Sequence, residues 1–158
     1  MSSTEIDFKV RRLYAEYGKY LDRGEYDAWI ELFEGEEARY LLHPRENRDA
    51  GLDGYWMYCR NKAMIRDRIK ALVNANIFNI HYNRHLITDI LWSIDGDVID
   101  VEASFLVVQT DVEGRSEVFA AGCYDDRVRV RADGSLGFLE KISVPDTFNI
   151  QRPLAVPM

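Results

Sequence analysis

A chain of 158 residues, 47% apolar and 30% charged, is long enough to bury a core and is composed like a folded domain, not a disordered segment. Its formal net charge of −7 argues against a nucleic-acid binder, which needs a basic face. No apolar run approaches a membrane span, and Met1-Ser-Ser-Thr-Glu-Ile-Asp lacks the basic-then-apolar order of a secretory signal, so a cytoplasmic location is expected.

Ile6, Val10, Leu13, Tyr14, Tyr17 and Leu21 recur at helical spacing, with charged residues opposite. Ser2 with Glu5 fits a capping box, and Gly24 stands where a helix end wants positive φ. Tyr26, Trp29, Ile30 and Phe33 predict a second, shorter helix ended by Gly35. Ala38 to His43 reads as a short strand that Pro44 stops. Residues 44–61 read as a long irregular loop whose Tyr55-Trp56-Met57-Tyr58 is too apolar to be purely solvated. It packs on the domain's own core or serves a subunit contact, where aromatics and arginine are enriched. Met64, Ile65, Ile69, Leu72 and Val73 predict a third helix.

From Arg84 to Val144 the pattern becomes four strands joined by turns at Asp95-Gly96, Glu113-Gly114 and Asp133-Gly134. Pro145 to Met158, with Phe148, Ile150, Leu154 and Val156, is expected to dock in extended form. The order helix, helix, strand, helix, then four strands predicts an α+β layout in one domain over 1–158, with a strongly bent, mostly antiparallel sheet wrapped around three helices as a cone.

Little in this chain has the spacing of a catalytic motif. Cys59 and Cys123 sit in no ligand pair and are expected as free thiols. His81 and His85 are four apart, but on a strand that separates them by about 13 Å. A second reading is acid–base chemistry by His85 with Asp89 or Tyr40: His85, Ile87, Asp89 and Leu91 share a strand face by alternation. Asp100 and Glu102 alternate with Ile99, Val101 and Ala103, as on a solvated outer face. Arg45, Arg48, Arg60, Arg66, Arg68 and Arg84 are interleaved with carboxylates, which suits either a solvated face or a specific protein contact.

Four stretches, in this order, resemble one family: Tyr40-Leu-Leu-His-Pro-Arg-Glu-Asn47, Lys62-Ala-Met-Ile-Arg-Asp-Arg68, Arg84-His85-Leu86 and Glu117-Val-Phe-Ala-Ala-Gly122. It is the small (β) subunit of Rieske-type aromatic-ring-hydroxylating oxygenases. The Pro-Arg-Glu-Asn loop, Gly51-Leu52 and Tyr82-x-Arg84-His85 are most similar to members serving carboxylated aromatics, such as salicylate hydroxylases and terephthalate dioxygenases. The resemblance implies the NTF2-like cone shared with SnoaL and scytalone dehydratase, and a non-catalytic role without a cofactor on this chain. It further implies a large (alpha) subunit carrying a [2Fe–2S] Rieske cluster and a mononuclear Fe(II), an alpha3beta3 hexamer built on a trimer of small subunits, and a reductase with or without a ferredoxin. The expected interface residues are Arg45, Tyr55, Trp56, Arg66, Arg68, Arg84, Phe148 and Leu154. The alternative is a stand-alone lyase, isomerase or binder of the same fold, using His85 with Asp89 or Tyr40.

Overall fold

The computed structural model describes residues 1–74, 80–146 and 156–158. Helix α1, Ser3–Arg23, begins where the Ser2 side chain accepts from the Glu5 N–H at 3.2 Å. It ends in a Schellman turn: Gly24, at φ 68°, donates to Leu21 and Glu25 donates to Tyr20. Its apolar stripe is buried from Ile6 to Leu21. Helix α2, Tyr26–Ile30, is shorter than the spacing predicts. The chain then turns through Leu32, and Phe33 forms an isolated parallel bridge to Phe138.

Residues 44–61 are more regular than expected. They hold a helix, α3 (Arg45–Asp49), and an edge strand, β2 (Met57–Cys59), which pairs antiparallel with β1 (Arg39–Leu42). Five-residue and three-residue elements are too short for periodicity to reveal. Helix α4, Lys62–Asn74, follows, so among the described residues there are four helices where three were expected.

Strands β3 (His81–Asp95), β4 (Val98–Asp111), β5 (Ser116–Val130) and β6 (Leu136–Pro145) form the meander, which begins three residues before Arg84. The six strands make one sheet in the order β2-β1-β6-β5-β4-β3, antiparallel except for β1 beside β6. The β3–β4 hairpin turns on Gly96-Asp97, one residue later than read from the sequence. Only Gly96 has positive φ there, the pattern of a Gly-X loop rather than an Asp-Gly one.

Each ladder of the meander carries a register shift: between Thr88 and Leu91, between Val107 and Val108, and between Arg127 and Val128. Bulges bend and twist a sheet, and three in successive ladders curl this one over α1. Ile99, Val101, Ala103, Phe105 and Val107 of β4 line the inner face and are buried in one core cluster with that helix's stripe. Helix α1 crosses β3 closely at Gly18, where an added Cβ would stand 3.2 Å from the His85 Cβ.

The β3 bulge overturns one expected face. Asp89 adopts φ 52° and is exposed, and side-chain parity reverses beyond it. His85 and Ile87 therefore point inward while Leu91 points out, and Ile90 and Trp92 pack on the core instead. Strict alternation cannot survive an inserted residue.

Candidate subunit interface and cone interior

The expected interface residues fall into separate regions. Tyr55 packs at a tilt against His43, ring centroids 4.1 Å apart, and against Tyr58 at 4.9 Å, making a small aromatic cluster at the β2 end of the sheet. Trp56 is partly buried against the core, and Met57 is buried. Arg45 is exposed and bonds Asp146 at 2.8 Å through Nε, while Arg48 pairs with Asp125. Arg66 grips Glu36 with two bonds of 2.9 and 3.1 Å. Arg68, on the same helix, has a buried Nε without a hydrogen-bond partner among the described residues. Arg84 is exposed on β3, at the far edge of the strand order from β2. Phe148 and Leu154 lie outside the described residues.

A second surface was not foreseen. On the outer face of the meander, Leu86 pairs with Leu106, Arg84 with Val108, and Val108 with Val118. Tyr82, Leu86 and Val118 are 63%, 50% and 62% exposed. Exposed apolar side chains side by side on a sheet mark an interaction face more than scattered ones do. Its signal was present in the alternation Tyr82, Arg84, Leu86, where both strand faces carry large side chains. Asp100 and Glu102 lie on this outer side further along and are exposed, as expected.

The interior is polar where a core is ordinarily apolar. Asp126 and Lys141, both fully buried, form an ion pair of 2.9 Å. Asp126 also accepts from the Tyr14 hydroxyl and, at 2.8 Å, from the Ile142 N–H. The Lys141 ammonium lies over the Tyr124 ring, 2.9 Å from its centroid, and near that of Tyr17 at 4.7 Å. Burial pushes the Lys141 ammonium down to about 8 and the Asp126 carboxyl up, so desolvation outweighs their attraction on both sides. Burial likewise pushes the Tyr40 phenol up to about 12. The buried pair went unseen in the sequence because Asp126 and Lys141 are 15 residues apart in a charged stretch.

His85 is paired, but with neither expected partner. Its Nδ1 lies 2.6 Å from Asp22 Oδ1, and its N–H donates to the same carboxylate. Both side chains are buried, and among the described residues Nε2 has no partner. Asp89, exposed at the bulge, is not brought to His85. Tyr40 is buried and bonded to Met158, and His85 and Met158 line one small cavity. Asp22 stands one turn beyond Gly18 on α1; a mid-helix glycine was the available sign that β3 passes close there. Among the described residues there is no group of three His, Cys, Asp or Glu placed to hold a metal, and no helix long and apolar enough to cross a membrane.

A curved six-stranded open sheet with α1 across its inner face is the architecture of a SnoaL-like domain, and the model of that family matches residues 3–136. The anthranilate 1,2-dioxygenase small subunit of Burkholderia cepacia is 37% identical, across 96% of this chain and 93% of that one. Subunit beta 2 of the terephthalate 1,2-dioxygenase terminal oxygenase component of Comamonas sp. is 32% identical, across 96% and 98%. A solved beta subunit from Novosphingobium aromaticivorans, assigned to an aromatic-ring-hydroxylating dioxygenase, superposes with a TM-score of 0.84 at 35% identity over 95% of each chain. The chain belongs to the small-subunit family of aromatic-ring-hydroxylating dioxygenases. The relatives are small subunits of dioxygenases, components of multi-subunit oxidoreductases.

Proposed function

We propose that this chain is the structural subunit of an oxygenase acting on a carboxylated aromatic ring. The observation that carries the reading is end-to-end identity with small subunits whose names specify anthranilate and terephthalate, both ring carboxylates. Its partner in this reading is a large subunit that holds a [2Fe–2S] Rieske cluster and a mononuclear Fe(II), fed by a reductase with or without a ferredoxin. Three small subunits form a trimer below three large ones, in the cytoplasm. A closed ring of this kind uses one heterologous contact three times. The outer face around Tyr82, Leu86 and Val118, flanked by Arg84, suits that use, as do the exposed Arg45, the half-buried Arg66 and the aromatic cluster at Tyr55.

The test is co-expression with a large-subunit gene from the same genomic neighbourhood. The expected outcome is a hexamer that contains iron and hydroxylates an aromatic carboxylate, while the small subunit alone binds no stoichiometric iron. Tight iron in the isolated small subunit, or no association with any neighbouring large subunit, would overturn the reading.

A further inference from the structure

The space under the curled sheet is filled by the chain itself. Met158 is buried in the core, and Val156 and Pro157 lie beside it. The Met158 main-chain oxygen accepts from the Tyr17 hydroxyl at 2.7 Å, the Tyr40 hydroxyl at 3.1 Å and Ser143 Oγ at 2.6 Å. Its N–H donates to the Tyr40 oxygen at 3.0 Å. The three hydroxyls come from α1, β1 and β6, elements far apart in sequence that the fold brings to one point.

Three O–H donors exceed the two lone pairs of a neutral carbonyl and match an anionic oxygen better. A cavity of about 10 Å³, room for a single water, remains between these tail residues and His81, Asn83, His85, Val107 and Gln109. His85 brings to its wall a fully buried ring whose Nε2 has no partner among the described residues. An unpaired buried polar atom carries a desolvation cost, so the tail satisfies the hydroxyl cluster while leaving this second polar point unused.

We propose that the cone interior is a binding site for a small apolar carboxylate, and that Val156–Met158 is its built-in occupant. The carboxylate takes the place of the Met158 oxygen on Tyr17, Tyr40 and Ser143. Its apolar body lies against Val107 and Phe119, which also lines the cavity, and a polar substituent reaches His85 Nε2. A tethered segment holds its site at an effective concentration in the millimolar range, so an incoming ligand must compete at that level until the tail is displaced.

The probes are the peptide acid acetyl-Val-Pro-Met and its amide. In the full chain with ¹³C-methyl methionine, the Met158 signal is assigned with Met158→Leu. Adding the acid at tens of millimolar is expected to move that signal toward the position of an unstructured methionine. In a chain lacking residues 156–158, calorimetry is expected to show the acid binding at least tenfold more tightly than the amide, and Tyr40→Phe with Ser143→Ala to abolish binding. A Met158 signal that stays fixed in the full chain overturns the proposal, whether or not the shortened chain folds. Equal binding of acid and amide to a folded shortened chain overturns its carboxylate specificity. Neither measurement involves the large subunit, so this proposal and the assembly reading fail separately.

Discussion

Lys141 is held by one carboxylate and the faces of aromatic rings, without solvent. Breaking such a pair leaves an uncompensated buried charge and costs about 3–5 kcal/mol, whereas replacing both partners by apolar groups is often neutral. Lys141→Met is therefore expected to lower the urea unfolding free energy by about that amount, and adding Asp126→Leu to restore much of it. A double variant weaker than the single one would show that the pair itself stabilises the fold. The pH dependence has a definite sign. Because the folded Lys141 titrates near 8, below the 10.5 of the exposed group, the unfolded chain binds more protons in that window and stability rises with pH across it. Above pH 10 the trend opposes this, since buried Tyr14, Tyr17 and Tyr124 ionise far less readily than unfolded phenols. Denaturation series at pH 8 and 10 should show the rise in the native chain and not in Lys141→Met.

The meander strands are shaped by their irregular points. An added Cβ at Gly122 of β5 would lie 2.2 Å from the Val144 carbonyl oxygen and 2.9 Å from Phe105 Cζ. Backbone cannot yield as a side-chain tip can, so Gly122→Ala is expected to destabilise by about 1–3 kcal/mol, read from thermal or urea unfolding. An unchanged midpoint would mean that β5 and β6 can slide apart there. At this scale the long elements were legible: α1 with both caps, α4, and the four strands announced themselves through period and turn residues. The bulge at Asp89 was not, because an inserted residue in a strand has no periodic signature and reverses every inference drawn past it. That is why His85 and Asp89 read as one face and why the carboxylate that meets His85, Asp22, was overlooked.

For the molecule as a whole, recognition rested on short stretches in a fixed order. Those stretches mark places the fold constrains: Tyr40 grips the tail, Gly122 admits the neighbouring strand, and His85 meets Asp22. The interface was less legible, since a polar arginine on a surface looks the same whether or not a partner covers it. The apolar outer face supplies a sharper test than the arginines do. Leu86→Asp with Val118→Asp is expected to leave the chain folded, by circular dichroism, yet weaken assembly at least tenfold, as loss of a central contact of about 2 kcal/mol would. A double variant that still sediments as the native assembly would remove this face from consideration.

The burial of Met158 has a practical corollary for handling the protein. An affinity tag fused after Met158 would have to leave through the packed interior, dragging the residue off Tyr17, Tyr40 and Ser143. A tag placed before Ser2 meets only the exposed start of α1. Yield and melting temperature of the two fusions should therefore differ, with the leading tag the benign one.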